Sequence, residues 1–348
     1  MDNFNISKHP VHALLDEFFA KAEIEDVVAD FQHKNSDNDK WLLFSDYCLD
    51  DANKANDVMT FVLMPFGSEK KFLEMQEQIK TLQPADIKKT DAINKDFLSY
   101  LKHEGMLTFS FVLNDRKLFC GQSHSQRVQN IKDTLQIIQG CYEGWKTTAD
   151  NKEIQEYYDD TIKKFKRELI KLNGKNPNIK LLNDILITAF LGAYVSVKVL
   201  EKLPIEIFGW FSDRDKVISG NDNIIVPIFN FYQHNMLGGR QFRFCTFTSD
   251  DKVIPFFDDF NRIADIITGA LADYNIEDNL ITADKFNTVL VDFLADNKQS
   301  LTFRIYAADN GHHVSQIIMH SKSRYCLFKR VISSLKKLLW IGKKNTIR

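Results

Sequence analysis

The chain has 348 residues, of which 44% are hydrophobic and 26% are charged. This balance is typical of a soluble folded protein and excludes a disordered or fibrous chain. The formal net charge of −2 hides an uneven distribution, because residues 310–348 contain nine Lys or Arg and no Asp or Glu. The preceding 309 residues therefore carry a charge of −11.

Cysteine usage indicates a reducing compartment. The five cysteines are scattered, odd in number and without Cys-x-x-Cys spacing, which argues against a disulfide framework and against a zinc site. The first ten residues are polar and lack the apolar core of a signal peptide. The longest apolar run, 185–199, is shorter than a membrane span. We therefore predict a cytoplasmic protein with no transmembrane segment.

Apolar spacing predicts both helices and strands in the first 200 residues. The predicted strands are 41–44, 57–64 and 106–113, and the predicted helices are 11–31, 68–82, 91–103, 128–145, 153–172 and 179–200. The last three helices follow one another without a strand between them. We interpret them as a helical insertion at about 123–202.

The rest of the chain returns to a mixed pattern. The predicted strands are 205–211, 224–229, 242–247 and 301–306, and the predicted helices are 256–274, 285–294 and a basic helix at 313–339. No internal repeat or low-complexity linker is visible, so we expect one compact α/β body. We assign 1–40 to an N-terminal helix, 41–275 to the core with its insertion, and 276–348 to a C-terminal extension with a basic helical tail.

Acidic residues follow two of the predicted strands and interrupt one apolar helix. Asp46 ends the first strand, Asp213 and Asp215 follow the strand at 205–211, and Asp265 lies in the helix at 256–274. Small and polar residues share the helix face of Asp265 at three- and four-residue spacing. Carboxylates crowded together raise one another's pKa unless a cation lies among them.

A divalent cation would neutralise such a cluster. Mg²⁺ and Mn²⁺ prefer oxygen ligands, and two ions about 3.5–4 Å apart can activate water and stabilise the leaving oxygen in phosphodiester cleavage. We therefore predict Asp46, Asp213 and Asp265 as catalytic metal ligands, with Asp215 as a further ligand. Structural explanations remain open: a turn cap for Asp46, a solvated turn for 212–216, and an ion pair with Arg262 for Asp265.

Four short segments, in this order along the chain, resemble a group of bacterial ribonuclease-H-like proteins of unknown function. They are Phe44-Ser45-Asp46-Tyr47, Asp86-Ile87-Lys88-Lys89, Trp210-Phe211-Ser212-Asp213-Arg214-Asp215 and Arg262-Ile263-Ala264-Asp265-Ile266-Ile267-Thr268-Gly269-Ala270. That group has an Asp-bearing first strand and a closing helix of Ala-Asp-x-x-x-Gly/Ala type. The similarity spans about 41–275.

The resemblance implies a ribonuclease-H-like mixed sheet of five strands, with the first three antiparallel and a helical insertion. It also implies metal ligands at Asp46, at Asp213 or Asp215, and at Asp265, and a place in bacterial defence or a mobile element. Two departures stand out. The group's Asp-Glu-Ser is Asp46-Tyr47-Cys48 here, and no glutamate on the first helix is singled out from the candidates Glu69, Glu74 and Glu77.

Basic residues suggest a nucleic-acid partner. Lys88 and Arg214 are candidates to steady a phosphate, although a Lys pair near a helix start is usually solvated. The segment after residue 321 adds nine basic residues interleaved with aromatic and aliphatic ones, including Lys329, Arg330, Lys336 and Lys337. A nucleic-acid surface, a membrane-surface helix and a protein-binding helix all fit this tail.

From these residues we predict a nuclease that depends on Mg²⁺ or Mn²⁺ and cleaves RNA or DNA. The alternative is a non-catalytic interaction or regulatory subunit that uses the same fold to bind a protein or a nucleic acid. Dependence of activity on the metal separates the two.

Overall fold

A computed structural model describes residues 10–103, 105–116, 119–213, 215–246, 257–308, 311–321 and 340–341. The strands are β1 (Lys40–Cys48), β2 (Asp57–Pro65), β3 (Leu107–Asn114), β4 (Ile207–Ser212), β5 (Arg243–Thr246), β6 (Ser300–Ala308), β7 (Gly311–Ile317), β8 (Met319–His320) and β9 (Trp340–Ile341). Seven of them form one mixed sheet in the order β5-β4-β1-β2-β3-β6-β7, and β8 pairs with β9. The α/β class predicted from the sequence is therefore confirmed.

β2 runs antiparallel to both β1 and β3, with Asp46 opposite Thr60 and Thr60 opposite Ser110. β4 joins β1 in parallel, and β6 joins β3 in parallel. β1, β2 and β3 are almost wholly buried, because helices cover both faces of the sheet at its centre. Burial on both faces explains the short apolar runs 41–44 of β1 and 61–64 of β2.

The helices are α1 (Pro10–Phe19), α2 (Ala22–Lys34), α3 (Glu69–Leu82), α4 (Lys95–His103), α5 (His124–Thr148), α6 (Lys152–Leu172), α7 (Ile179–Leu200), α8 (Lys216–Ser219), α9 (Ile225–Met236), α10 (Asp258–Asp273) and α11 (Asp284–Val289). A 3-10 turn at Ile87–Lys89 lies between α3 and α4, and a π-helical turn at Leu290–Leu294 follows α11.

Two helices define the faces of the central sheet. On one face, Phe44 of β1 stacks on Phe260 of α10, with ring centroids 5.2 Å apart. On the other face, Phe61 of β2 contacts α7 at Gly192, where an added Cβ would lie 2.9 Å from the Phe61 ring. Because side chains alternate along a strand, Asp46 shares the α10 face with Phe44.

The helix α7 is the apolar centre of the insertion. Its 22 residues are long and apolar enough to cross a membrane, but 94% of its most apolar 18-residue window is buried inside the protein. Such burial is typical of a core helix in a globular domain. The helix has the bounds 179–200 that the sequence predicts, and it is longer than the apolar run 185–199 within it.

Arg116, two residues after β3, ties the insertion to the sheet. Its guanidinium donates to Asp184 of α7, with Nε–Oδ1 at 2.8 Å and Nη2–Oδ2 at 3.1 Å. It also donates to Asp50 and Asp57, which lie at the β1–β2 connection. The Arg116 and Asp184 side chains are each 6% exposed, so this is a buried ion network.

Three predicted elements differ in the structure. The opening helix is broken at Ala20-Lys21 into α1 and α2. The predicted strand at 224–229 is wrong, because Ile225, Ile228 and Phe229 begin the helix α9 and bury one of its faces. The predicted basic helix is wrong over its described part, since β7 and β8 occupy 311–317 and 319–320.

The sheet does not stop at residue 275. Strands β6 and β7, from the predicted C-terminal extension, extend it beyond β3. The segment predicted as a helical insertion contains α5, α6 and α7. Of these helices, α7 packs on a face of the sheet, where its Gly192 contacts Phe61 of β2.

Candidate functional site

The carboxyl ends of β1 and β4 form the floor of a polar site. These strands are parallel, with Ser45 opposite Ser212, so Asp46 and Asp213 are the next residues on two adjacent strands. Asp46 is 9% exposed, and its backbone carbonyl accepts a hydrogen bond from Thr268 of α10 at 3.3 Å. Asp213 lies at the exposed mouth of the site, where it accepts a hydrogen bond from Asn261 Nδ2 at 3.2 Å.

The helix α10 supplies the third carboxylate. Asp265 is one turn beyond Asn261 and is 8% exposed. Asn261, Asp265 and Thr268 share one face of α10, which is the face that the sequence spacing predicted, and two of them hydrogen-bond to residues at the ends of β1 and β4. The adjacent face of α10 buries Phe260, which packs the helix on the sheet.

The electrostatics show that the three carboxylates share one environment. Burial raises the pKa of Asp46 to about 7, and repulsion from Asp213 adds to the effect. Burial also raises the pKa of Asp265 to about 8, with further repulsion from Asp46 and Asp213. The pKa of Asp213 is raised as well, first by its partial burial. Near neutral pH, ionising all three carboxyl groups together is therefore costly without a compensating cation.

Lys88 is the cation that acts on all three carboxylates, since it lowers the pKa of Asp46, Asp213 and Asp265. Partial burial opposes the charge of Lys88 itself, but Asp265 and Asp46 outweigh burial and raise its pKa. The Lys88 side chain stands at the exposed rim of the site, in the 3-10 turn.

Asp86 is an acid of this site that the sequence reasoning missed. It caps the 3-10 turn by accepting a hydrogen bond from the Lys88 backbone N–H at 2.7 Å. Its charge raises the pKa of both Asp265 and Asp213. The usable signal was its position two residues before Lys88 in a segment already singled out. The candidates Glu69, Glu74 and Glu77 are all exposed on α3.

Asp215 has a different local task. Its side chain caps α8, with Oδ1 accepting from the Ile218 backbone N–H at 2.8 Å. Its pKa is raised, first by burial and further by repulsion from Asp213 and Asp184. Asp215 therefore borders the site while its Oδ1 is engaged by a helix end. Arg214 lies outside the described residues, as do Lys329, Arg330, Lys336 and Lys337.

Arg262 does not form the ion pair with Asp265 that the sequence left open. Instead, it pairs with Asp259 at 3.1 Å and donates to the Gln83 carbonyl oxygen at 3.0 Å. This alternative explanation of Asp265 is therefore not what the structure shows.

The donor set fits a hard divalent cation. Three carboxylates and one amide supply oxygen, which is what Mg²⁺ and Mn²⁺ prefer. Asn261 is 2% exposed, and within the described residues its Oδ1 has no hydrogen-bond partner. A buried acceptor left unsatisfied is costly, and a cation or its bound water would satisfy it. Over the same residues, no three His, Cys, Asp or Glu side chains form a preformed metal cage, so binding would require them to adjust.

Comparisons of the chain with the profiles of known families, with curated proteins and with solved structures found no match.

Proposed function

We propose that this chain is a divalent-metal-dependent nuclease with a ribonuclease-H-like core. One arrangement carries the proposal: two adjacent parallel strand ends and one helix bring Asp46, Asp213 and Asp265 to one place, where the pKa of each is raised. Among the described residues, Lys88 is the cation that offsets their charges, and it does so in part. A divalent cation would complete the compensation, as expected of a phosphodiester-cleaving centre.

The order and direction of the strands support the proposed ribonuclease-H-like core. Three antiparallel strands are followed by a parallel strand beside β1, and an Asp-bearing helix packs on the face of β1 that carries Asp46. This matches what the resemblance implies for the strands up to residue 275. The strands β6 and β7 are additions to that arrangement.

In this proposal the residues divide the work by position. Asp46 and Asp265, which are buried, would hold the Mg²⁺ or Mn²⁺, and Asp213 would complete the ligands at the mouth. Asn261 orients Asp213 through its amide hydrogen bond. A bound ion supplies Lewis-acid activation and lowers the pKa of a coordinated water. Lys88, at the rim, can pair with the scissile phosphate of an incoming strand.

The partner is proposed to be RNA or DNA. The basic segment that contains Lys329, Arg330, Lys336 and Lys337 would add charge contacts with phosphates. A protein partner for the same segment is the other outcome. A cytoplasmic location and a role in defence against mobile elements belong to the proposal as well.

A cleavage assay tests the proposal. Labelled RNA and DNA, single- and double-stranded, are incubated with Mg²⁺, Mn²⁺ or EDTA. The unsubstituted protein should cut only with metal, and Asp46→Ala should abolish cleavage. Asp51→Ala, an exposed acid five residues along the chain, is the matched control and should keep full activity. Cleavage that persists in EDTA or in Asp46→Ala would rule out the mechanism.

A non-catalytic binding subunit is the second candidate. The raised pKa values of Asp46 and Asp265 favour it, because both carboxyls can remain protonated near neutral pH and leave a stable site without metal. Tight capture of nucleic acid without cleavage, unchanged in Asp46→Ala, would support this candidate.

A further inference from the structure

A lysine outside the acidic site holds the turn that carries Lys88. The Lys285 ammonium, from α11, donates to the backbone carbonyl oxygens of Ile87 at 2.7 Å and of Thr90 at 2.9 Å. Ile87 is the first residue of the short 3-10 turn, and Thr90 follows its end. Because the turn has only three residues, neither carbonyl has a partner within it. A lysine that caps such carbonyls is a known way to fix a helix end.

The same turn is also fixed against α10. Ile87 is 4% exposed, and its Cδ1 lies 3.3 Å from the place that a Cβ at Gly269 would occupy. Phe286, the neighbour of Lys285, lies 3.2 Å from that same place. The glycine therefore allows the turn and α11 to approach α10 together, one turn beyond Asp265.

Along the chain, Lys88 lies between Ile87 and Thr90, whose carbonyl oxygens accept hydrogen bonds from Lys285. Its own backbone N–H is held by Asp86. A lysine side chain has four methylene groups, so a small tilt of the turn would move the Lys88 ammonium much further than the backbone. Because electrostatic energy falls with distance, the compensation of the three carboxylates depends on where the turn is held.

We propose that Lys285 is a positioning residue: its two hydrogen bonds to the Ile87–Thr90 segment hold Lys88 in register with Asp46 and Asp265. This inference rests on the proposed metal site and names a residue that serves it from outside. Among the described residues, the hydrogen bonds of the Lys285 ammonium go to these two carbonyls and not to the carboxylates. Lys285 acts through Lys88, so removing Lys285 should have no further effect once Lys88 is gone.

The test is a double-mutant cycle read by Mn²⁺ binding. At about pH 8.5, where Asp46 and Asp265 are largely ionised, Lys88→Met should tighten Mn²⁺ binding on the order of tenfold, because a positive charge near the ion is removed. Lys285→Met should change the affinity in the same direction, and the double variant should bind as Lys88→Met does. Lys285→Arg, which can also donate to two carbonyls, should bind as the unsubstituted protein. Lys89→Met, an exposed lysine of the same turn, is the control and should leave the affinity unchanged.

Hydrogen exchange gives a second reading that does not depend on metal. The Lys89 amide is bonded to the Asp86 carbonyl at 2.9 Å, and exchange at residues 88–90 should quicken at least tenfold in Lys285→Met but not in Lys285→Arg. Additive effects of the two methionine substitutions on Mn²⁺ affinity would overturn the proposal, since Lys285 would then act through its own charge. Unchanged exchange in Lys285→Met would overturn it as well.

These results separate the two proposals. If the unsubstituted protein binds Mn²⁺ but the effects of Lys88→Met and Lys285→Met on affinity are additive, only the role of Lys285 is rejected. Failure of the unsubstituted protein to bind Mn²⁺ at all rejects both the metal site and the residue said to serve it. Non-additive binding without any nucleic-acid cleavage upholds the positioning role and rejects the nuclease.

Discussion

Raising the pH from 5 to 8 should destabilise the metal-free protein, because two buried carboxyls keep their protons in the folded state. The pKa of Asp46 is raised from 3.8 to about 7, and that of Asp265 is raised to about 8. An unfolded chain has released these protons above about pH 4. Between the two pKa values the folded state binds more protons, so the free energy of unfolding falls as the pH rises.

The expected effect is large enough to measure. Each such carboxyl costs about 1.4 kcal/mol of stability for every pH unit between its unfolded and folded pKa. Between pH 5 and pH 7, Asp46 alone therefore contributes a loss on the order of 3 kcal/mol. Typical domains are stable by only about 5–15 kcal/mol. The two protonated carboxyls make their full contribution to the free energy of unfolding below about pH 4, and this contribution is lost by about pH 8.

Urea denaturation in EDTA, followed by the fluorescence of the buried Trp41 and Trp210, measures this slope. Asp265→Asn removes one of the titrating groups, together with its repulsion of Asp46, so the slope should fall. At pH 8 this variant should be more stable than the unsubstituted protein, and at pH 5 the difference should shrink. Asp51→Asn, at an exposed position, should keep the original slope.

A slope between pH 5 and 8 that Asp265→Asn leaves unchanged would refute the shared environment of the carboxylates. Added Mn²⁺ should restore stability at pH 8 more than at pH 5, because the ion binds the deprotonated carboxylates.

Three further outcomes are expected. Arg116→Met should lower the free energy of unfolding by about 3–5 kcal/mol, because Asp184 is left buried without its partner; adding Asp184→Asn should recover part of the loss in the same urea assay. Gly192→Ala should lower the stability measured by thermal denaturation by about 1–3 kcal/mol, since its Cβ would meet the Phe61 ring at 2.9 Å. The control Gly140→Ala places nothing within 4 Å of the new Cβ and should be neutral or stabilising. Deleting the residues after Lys322 should weaken nucleic-acid binding and flatten its dependence on salt, and an unchanged slope of log affinity against log salt would exclude the tail from the interface.

The strands that carry the site were predictable because they are buried on both faces. β1 and β4 appear in the sequence as the apolar runs 41–44 and 207–211, each followed by a serine, and the structure confirms both strands. α9 was mispredicted because its first residues, 224–229, are just as apolar as a strand. A short apolar run does not distinguish a buried strand from a buried helix.

The composition of the site was predictable only in part. The carboxylates Asp46, Asp213 and Asp265 stood out because each ends or interrupts an apolar element. Asp86 did not stand out, because it follows a polar helix and its significance depends on how the turn packs against Gly269. The capping of α8 by Asp215 likewise depends on a local bend that the alternating charges of 212–216 do not reveal.

Arg116 has a consequence for anyone who seeks a smaller version of this protein. Excising the three insertion helices would strip away Asp184, and the guanidinium would remain with two acids at the β1–β2 connection. The same excision would lay bare the face of β2 on which Phe61 meets Gly192. A smaller folded core cannot therefore be obtained by trimming this segment alone. A redesign would have to replace Arg116 with an apolar residue and supply a new wall for the exposed sheet.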